Sequence, residues 1–194
     1  MPNTMHLLFN QFNSNGLSGV AVKDISRKRR IVSHMSSNVE ITIKDISESL
    51  NISIHKASEL MTELAEGGFI KETSKRSAGQ GRKASYYALR ADNYYFLGVE
   101  IKKYKINIGL MGFDKVMLQS TNNIPFLYKE AGESLKEIVQ LINNFLNENN
   151  IDRQKIAGVG LSIAGRVNVK TGNILTIYHF SDAPVKEVLE NELG

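Results

Sequence analysis

The sequence lacks cysteine, has no long apolar run, and does not begin with the basic and apolar segments of a signal peptide. Without cysteine, a disulfide framework and any zinc site built on thiolates are excluded. Without an apolar run of about 20 residues, an ordinary transmembrane helix is excluded as well. A cytoplasmic protein is therefore expected. Its 194 residues leave room for more than one small domain with a core of its own.

The net charge of +4 is unevenly distributed along the chain. Residues 1–92 hold 13 Lys and Arg against 9 Asp and Glu, whereas residues 93–194 hold 11 of each kind. Attraction to phosphate follows local charge rather than the average over the chain. Nucleic acid is therefore the partner that the first half of the chain predicts.

Residues 42–66 have the pattern of two short helices joined by a tight turn. The first helix is predicted to begin at Thr42, an N-cap with Asp45 three residues later. Asn51 tolerates a left-handed backbone and can turn the chain, after which Ser53 can cap the second helix. The expected apolar faces are Ile43, Ile46 and Leu50, then Ile54, Ala57, Met61 and Leu64 with Leu60 beside them. Gly67-Gly68 ends the second helix, so the sequence predicts a helix-turn-helix.

The second helix is expected to present polar side chains to DNA. Ser53 and the amides at the helix start suit a phosphate oxygen. Lys56 can reach a phosphate or a guanine edge, and Glu59 can accept a hydrogen bond from a cytosine amino group. The other polar residues predicted on this face are His55, Ser58 and Thr62.

Two short predicted strands, 69–72 and 85–89, flank a stretch with two glycines and four cations. The cations are Lys75, Arg76, Arg82 and Lys83. This stretch is either a flexible solvated loop or a wing that enters a groove, and the preceding helix-turn-helix favours the wing. The planar fork of Arg82 suits a narrow minor groove, and Lys83 suits a phosphate.

Two segments precede the helix-turn-helix. Residues 1–21 form a tail, which can be a frayed helix or a disordered segment. Residues 22–36 predict a helix with inward candidates Ile25, Ile31, Val32 and Met35. It carries the basic run, residues 27–30, which is either a solvated helix face or a contact to the DNA backbone.

After a linker at 90–94 the periodicity changes. Three antiparallel strands are predicted from the alternation Leu97, Val99, Ile101, then Tyr104, Ile106, Ile108, Leu110, then residues 116–121. Residues 133–149 predict a helix with the apolar face Leu135, Ile138, Val139, Ile142, Phe145 and Leu146. Residues 156–163 predict a strand covered on both faces. A turn at 170–173, a strand at 174–177 and a helix from about Pro184 follow. The inward residues expected in that helix are Val185, Val188, Leu189 and Leu193.

The chain resembles the repressor branch of the ROK family (repressors, uncharacterised reading frames and sugar kinases). The resemblance rests on the turn at 50–53, the wing at 79–83, residues 97–101, residues 158–167 and Thr171-Gly172. It implies a winged helix-turn-helix domain at 22–92 followed at 93–194 by the first lobe of an actin-like, ribonuclease-H-like α/β domain. It also implies repression of carbohydrate genes through a DNA operator, modulation by a sugar, and a homodimer or higher homo-oligomer.

The departures from the family pattern bear on function. Kinases of the family carry an Asp-x-Gly-Gly-Thr phosphate loop where this chain has residues 100–104, Glu-Ile-Lys-Lys-Tyr, and bulky residues block the approach of backbone amides to phosphate. Neither an enzyme activity nor a cofactor is therefore expected. Lys83 stands where proline is common, and Glu59 where a basic residue is common. Family members continue past Gly194 into a zinc site and a second lobe, so both a fragment and a natural short form stay open.

Candidate sugar contacts are Gly165, Arg166 and His179, which lie where the first lobe would edge a sugar cleft, although ordinary loops are the alternative. Two other functions stay open for the chain. One is an ATP-dependent sugar kinase that carries a DNA-binding module. The other is that the lobe at 93–194 serves only as a platform for dimerisation.

Overall fold

The structure is a computed structural model that describes residues 12, 16–17, 19–76, 83–168, 171, 173–174 and 185–193. The chain divides into two compact units. The first comprises residues 1–95 with the short segments 111–116 and 154–157, and the second comprises the rest. No helix among the described residues is long and apolar enough to cross a membrane.

The described residues of the first unit include three helices of at least eight residues and a small sheet. In chain order its elements are α1 (Val20–Met35), β1 (Ile41–Thr42), α2 (Ile43–Leu50), α3 (Ile54–Glu66), β2 (Ile70–Arg76) and β3 (Ala84–Leu89). The sheet has the order β1-β3-β2 and is antiparallel, with Ile41 opposite Tyr87 and Ile70 opposite Leu89. The predicted helices and the two wing strands are therefore present, while β1 was not predicted from the sequence.

The core of the first unit lies between the three helices and the base of the sheet. Its most buried apolar residues are Ile31, Ile46, Ala57, Leu60, Met61, Leu64, Phe69 and Ile70. Three predicted inward residues differ. Val32 and Ile43 are only half-buried, and Ile54 is 61% exposed, so its prediction as an inward residue was wrong. Ile54 is the first residue of α3 and precedes the buried stripe, which begins at Ala57.

The end of α3 is tied to the segment predicted as a linker. Gly67 caps the helix, and Gly68 has a φ of 73° and lies so close to Asn93 that a Cβ atom would be 2.3 Å from its Nδ2. Asn93 Nδ2 donates to the Gly68 carbonyl at 3.1 Å, and the Tyr94 hydroxyl donates to the Gly67 carbonyl at 3.0 Å. The Tyr94 ring stacks on Phe69 with centroids 5.0 Å apart, and its burial raises the pKa of the hydroxyl. Residues 93–94 are thus packed structure of the first unit.

The second unit is built on a four-stranded sheet. Its strands are β4 (Tyr95–Lys102), β5 (Lys105–Gly112), β6 (Met117–Pro125) and β7 (Ile156–Ile163), in the order β6-β5-β4-β7. The turn between β4 and β5 has two residues, a connection that only antiparallel neighbours allow. Helix α4 (Ala131–Glu148) buries all six residues predicted for its apolar face. The strand residues buried with them include Leu97, Val99, Ile101, Ile106, Ile108 and Leu110.

Two predictions about these strands were wrong. Tyr104 belongs to the turn and is 62% exposed, so it does not begin the alternation of β5. Strand β7 was expected to be covered on both faces, yet only Ala157 of its eight residues is buried. Strand β7 lies at the end of the strand order and has β4 as its one neighbour among the described strands.

The last elements are short. Strands β8 (Val167–Asn168) and β9 (Asn173–Ile174) pair in an antiparallel manner, and α5 spans Val185–Leu193. Val185 and Leu189 are buried as predicted, and Val188 is half-buried. Residues 175–177 of the predicted strand and Pro184 lie outside the described residues, as does most of the predicted tail.

Candidate nucleic-acid interface

The turn between α2 and α3 is fixed by hydrogen bonds at both ends of α2. The Asp45 amide donates to Thr42 Oγ1 at 3.2 Å, and the Thr42 amide donates to Asp45 Oδ2 at 2.8 Å, which is the predicted capping box. Asn51 ends the helix with φ 51° and ψ 54°, the left-handed conformation expected of it. The Ser47 hydroxyl then donates to the Ile52 carbonyl at 2.6 Å. These local contacts set the angle at which α3 leaves the turn.

Helix α3 starts at the cap that the sequence predicted. Ser53 Oγ accepts a hydrogen bond from the Lys56 amide at 3.2 Å. The side chains of Ser53, His55 and Glu59 are exposed, while Ser58 is half-buried. All of them lie away from the buried stripe of Ala57, Leu60, Met61 and Leu64. Helix α3 thus offers a polar outer face, and base contacts by these residues stay a prediction.

Lys56 is held inside the protein by two carboxylates. Its Nζ donates to Asp24 Oδ2 on α1 at 2.8 Å and to Glu59 Oε1 at 3.0 Å, and its side chain is 22% exposed. Arg27 Nη1 donates to the other oxygen of Asp24 at 2.9 Å. The hydrogen bonds to Asp24 and Glu59 raise the pKa of the Lys56 ammonium, so the residue is a firmly charged cation. Two of its three N–H donors are therefore engaged within the protein, which restrains the ammonium from moving toward DNA.

The basic run of α1 is largely engaged within the first unit. Arg27 binds Asp24, and Lys28 binds Glu63. Arg29 donates to the backbone oxygen of Phe12. The Lys28 side chain is only 12% exposed. Arg30 is exposed on the helix surface. The structure therefore gives the run an internal role that neither sequence-based interpretation included.

Three of the four predicted wing cations belong to the described residues. Lys75 is 64% exposed and lies 3.5 Å from Glu72 Oε1. Arg76 Nη2 donates to Glu40 Oε2 at 2.6 Å, and the guanidinium lies over the Tyr86 ring at 5.0 Å from its centroid. Lys83 is exposed. Arg82, with Gly79 and Gly81, lies outside the described residues.

Residues 100–104, which the resemblance compared with the phosphate loop of the kinases, form the end of β4 and the tight turn into β5. Asn107 Nδ2 donates to Glu100 Oε2 at 2.7 Å, and Lys102 Nζ lies 3.1 Å from the same oxygen. The hydrogen bond from Asn107, and then that from Lys102, lower the pKa of the Glu100 carboxyl. Lys103 and Tyr104 fill the turn, with the ammonium 5.0 Å from the ring centroid.

The candidate sugar contacts lie partly outside the described residues. Gly165 has a φ of 142° and lies with Arg166 in the exposed loop between β7 and β8. His179 belongs to a segment outside the described residues. The structure therefore does not test whether the three residues meet, and their role stays a prediction.

Two features of the interface were missed from the sequence. Ile54 was assigned to the core but projects beside the polar face of α3. Asp24 and Glu40 were given no role, yet they bind Lys56 and Arg76, two of the predicted DNA-binding cations. These partners are 32 and 36 residues apart in the sequence, so no local signal could have revealed them.

Comparison with known proteins agrees with this geometry. Residues 26–71 match the family model described as winged helix-turn-helix DNA-binding. No curated protein matches the chain. A solved ROK family transcriptional regulator, a homologue of the E. coli Mlc protein, is similar with a TM-score of 0.65 at 18% sequence identity over 87% of this chain. The chain spans 43% of the length of that regulator.

A putative sugar kinase from Cytophaga hutchinsonii is similar over 50% of this chain and 32% of its own length. Its sequence identity is 19% and its TM-score is 0.37, a likeness from which we conclude nothing. The predicted fold class is confirmed by the regulator: a winged helix-turn-helix is followed by an α/β lobe of the ROK type. The resemblance to the ROK family is thereby confirmed at the level of the fold.

Proposed function

We propose that this protein is a DNA-binding transcriptional regulator of the ROK type. The observation that carries the proposal is the polar outer face of α3, presented beside a winged sheet in the half of the chain that holds all of the excess positive charge. An exposed second helix in this motif enters the major groove, and a basic wing approaches the backbone or the minor groove.

The more detailed parts of the proposal follow from the resemblance to the ROK family. We propose residues 22–92 as the DNA-binding domain and residues 93–194 as the lobe that senses a sugar. The regulator would repress genes of carbohydrate use, act in the cytoplasm and form a homodimer or higher homo-oligomer. Gly165, Arg166 and His179 are the proposed sugar contacts. The match to less than half of the solved regulator leaves these statements as proposals.

The proposal is tested by the salt dependence of binding to duplex DNA. Fluorescence anisotropy of the 194-residue chain with a labelled duplex should show affinity that falls steeply with salt, because bound cations release counterions. Lys75→Ala should reduce the slope by about one unit. Lys102→Ala is the matched control, since it also removes an ion-paired lysine but lies on β4 of the second unit.

The possible outcomes of the salt titration distinguish DNA binding from its absence. Absence of binding, or an affinity that does not change with salt, would contradict the proposal. If Lys75→Ala and Lys102→Ala changed the slope of the salt dependence equally, Lys75 would not contact the DNA.

Arg82→Ala should weaken binding to a specific operator by about 1–3 kcal/mol, and Arg82→Lys should recover only part of the loss because the planar fork is missing.

The absence of phosphoryl transfer is a separate proposal. It is supported by the hairpin at 100–104, where Lys103 and Tyr104 take the space that glycines leave open in a phosphate loop. Calorimetry with Mg-ATP, alone and with a panel of hexoses, should show no nucleotide binding. A micromolar affinity for ATP would favour the sugar kinase instead.

A further inference from the structure

Ile54 combines a position and an exposure that the core does not explain. It is the first residue of α3 and is 61% exposed, whereas Ala57, Leu60, Met61 and Leu64 of the same helix are at most 1% exposed. Between residues 41 and 76, a range that the structure describes completely, it is the only exposed large hydrophobic side chain. The fold itself therefore makes little use of this side chain.

The surroundings of Ile54 favour DNA as the group that covers it. Its chain neighbours Ser53 and His55 are both exposed, and Ser53 is the helix cap. The first residues of the second helix in a helix-turn-helix are those that meet base edges in the major groove. In that groove the one apolar group on a base edge is the C5-methyl of thymine.

We propose that Ile54 is a specificity-determining residue that packs against the C5-methyl group of a thymine in the major groove. The proposal rests on the DNA-binding function proposed above and adds the base that α3 recognises through an apolar contact. Polar neighbours on α3 can bind phosphates or base edges of any chemistry, but a branched aliphatic side chain discriminates only by shape and apolar contact. The expected result is a preference for thymine at one position of each half-site.

The test isolates a single methyl group. Selection from randomised duplexes gives the preferred site, and each thymine is then replaced in turn by deoxyuridine, which keeps the base pair and lacks the methyl group. Anisotropy should show one replacement per half-site that weakens wild-type binding by about 4-fold, as expected for burial of one methyl group. Ile54→Ala should bind the thymine site more weakly and should no longer distinguish thymine from deoxyuridine at that position.

Val39→Ala is the matched control, because Val39 is 90% exposed, aliphatic and outside the helix-turn-helix. It should keep the wild-type response to deoxyuridine, and thermal unfolding should show that both variants remain folded. A response that Ile54→Ala retains would overturn the inference, while the proposed function would stand. Loss of an oligomer in Ile54→Ala, with the thymine preference unchanged, would overturn it in favour of a protein contact. Absence of any DNA binding by the wild type would contradict the proposed function itself.

Discussion

Replacing Asp24 by asparagine should strengthen DNA binding, because Asp24 competes with DNA for Lys56. The ammonium of Lys56 lies 2.8 Å from Asp24 Oδ2, and the two side chains are only 22% and 20% exposed. A phosphate contact that needs the ammonium to move weakens or breaks this ion pair, and the cost reduces the affinity. The variant Asp24→Asn keeps the shape of the side chain and removes the charge that holds the ammonium.

The size of the effect follows from the ion pair. Partly exposed pairs contribute about 0.2–1 kcal/mol, which corresponds to a gain in affinity of up to about 5-fold when the pair is removed. In the variant, Glu59 still lies 3.0 Å from the Lys56 ammonium and restrains it. The gain in DNA affinity should therefore be smaller than for a lysine without any carboxylate partner. We therefore expect a dissociation constant for duplex DNA that is about 2- to 5-fold lower than that of the wild type.

The control must separate this effect from a change of net charge. Glu66→Gln removes the same charge at the far end of α3, and Glu66 is exposed. Anisotropy titrations at one fixed salt concentration should show a larger gain for Asp24→Asn than for Glu66→Gln. Equal gains would attribute the effect to net charge alone, and unchanged or weaker binding of Asp24→Asn would refute the competition for Lys56.

The same carboxylate should make stability depend on pH. Burial acts to raise the pKa of Asp24, but the hydrogen bonds from Lys56 and then Arg27 outweigh it and hold the pKa below the ordinary value of 3.8. The folded protein therefore binds this proton more weakly than the unfolded chain, so the contribution of Asp24 to stability is complete above pH 3.8. It is lost as the pH falls through the folded-state pKa. Denaturant unfolding at several pH values below 5 should show a smaller acid loss in Asp24→Asn.

Two further predictions concern the stability of the first unit, measured by urea unfolding. Thr42→Ala removes the capping box and should lower the free energy of unfolding by about 1 kcal/mol. Thr62→Ala, which changes an exposed threonine within α3, should lower it little. Equal losses in the two variants would contradict the capping argument. Leu64→Ala opens a cavity at a fully buried position and should lower the free energy of unfolding by about 2–5 kcal/mol. Val39→Ala, at an exposed position, should change it very little. A loss below about 1 kcal/mol for Leu64→Ala would mean that Leu64 does not belong to the core.

Local signals explain why so much of the helix-turn-helix could be predicted. The caps at Thr42 and Ser53 each use a hydrogen bond to the residue three positions later, and Asn51 uses its own backbone preference. Such contacts form between residues that are close in the sequence, so the sequence alone predicts them. The periodicity of α4 is equally informative, because 18 residues give its apolar face several repeats.

The wrong predictions depend on what lies next to an element. Ile54 fits the apolar spacing of α3, yet the stripe is covered only from Ala57 onward. The apolar residues of β7 suggested burial on both faces, but their composition does not show which layers cover the strand, and only Ala157 is buried. Strand β1 is two residues long and exists only because it pairs with Tyr86 and Tyr87. Periodicity describes one element at a time and cannot give its neighbours.

Arg76 allows the final prediction, because its two proposed roles give opposite results in one variant. As a phosphate contact, Arg76 would be restrained by Glu40, so Glu40→Gln should strengthen DNA binding and steepen its salt dependence. The structure favours a positioning role, since the guanidinium joins Glu40, just before β1, to the Tyr86 ring on β3 at the base of the wing. Thr73, the extra residue at the bulge of β2, donates its hydroxyl to Glu40, and its Oγ1 lies 3.2 Å from the Tyr86 carbonyl oxygen.

In a positioning role, Arg76 holds the strands from which residues 77–82 extend. Glu40→Gln should then weaken DNA binding in the same direction as Arg76→Ala, and neither should change the salt slope by the roughly one unit that a lost phosphate contact gives. Lys75→Ala, on the neighbouring position of β2, provides the comparison for a phosphate contact. Tighter binding by Glu40→Gln would show that Arg76 is a DNA contact held back by its carboxylate, as Lys56 is by Asp24. The wing would then depend on the β2–β3 pairing, rather than on this ion pair, for its position.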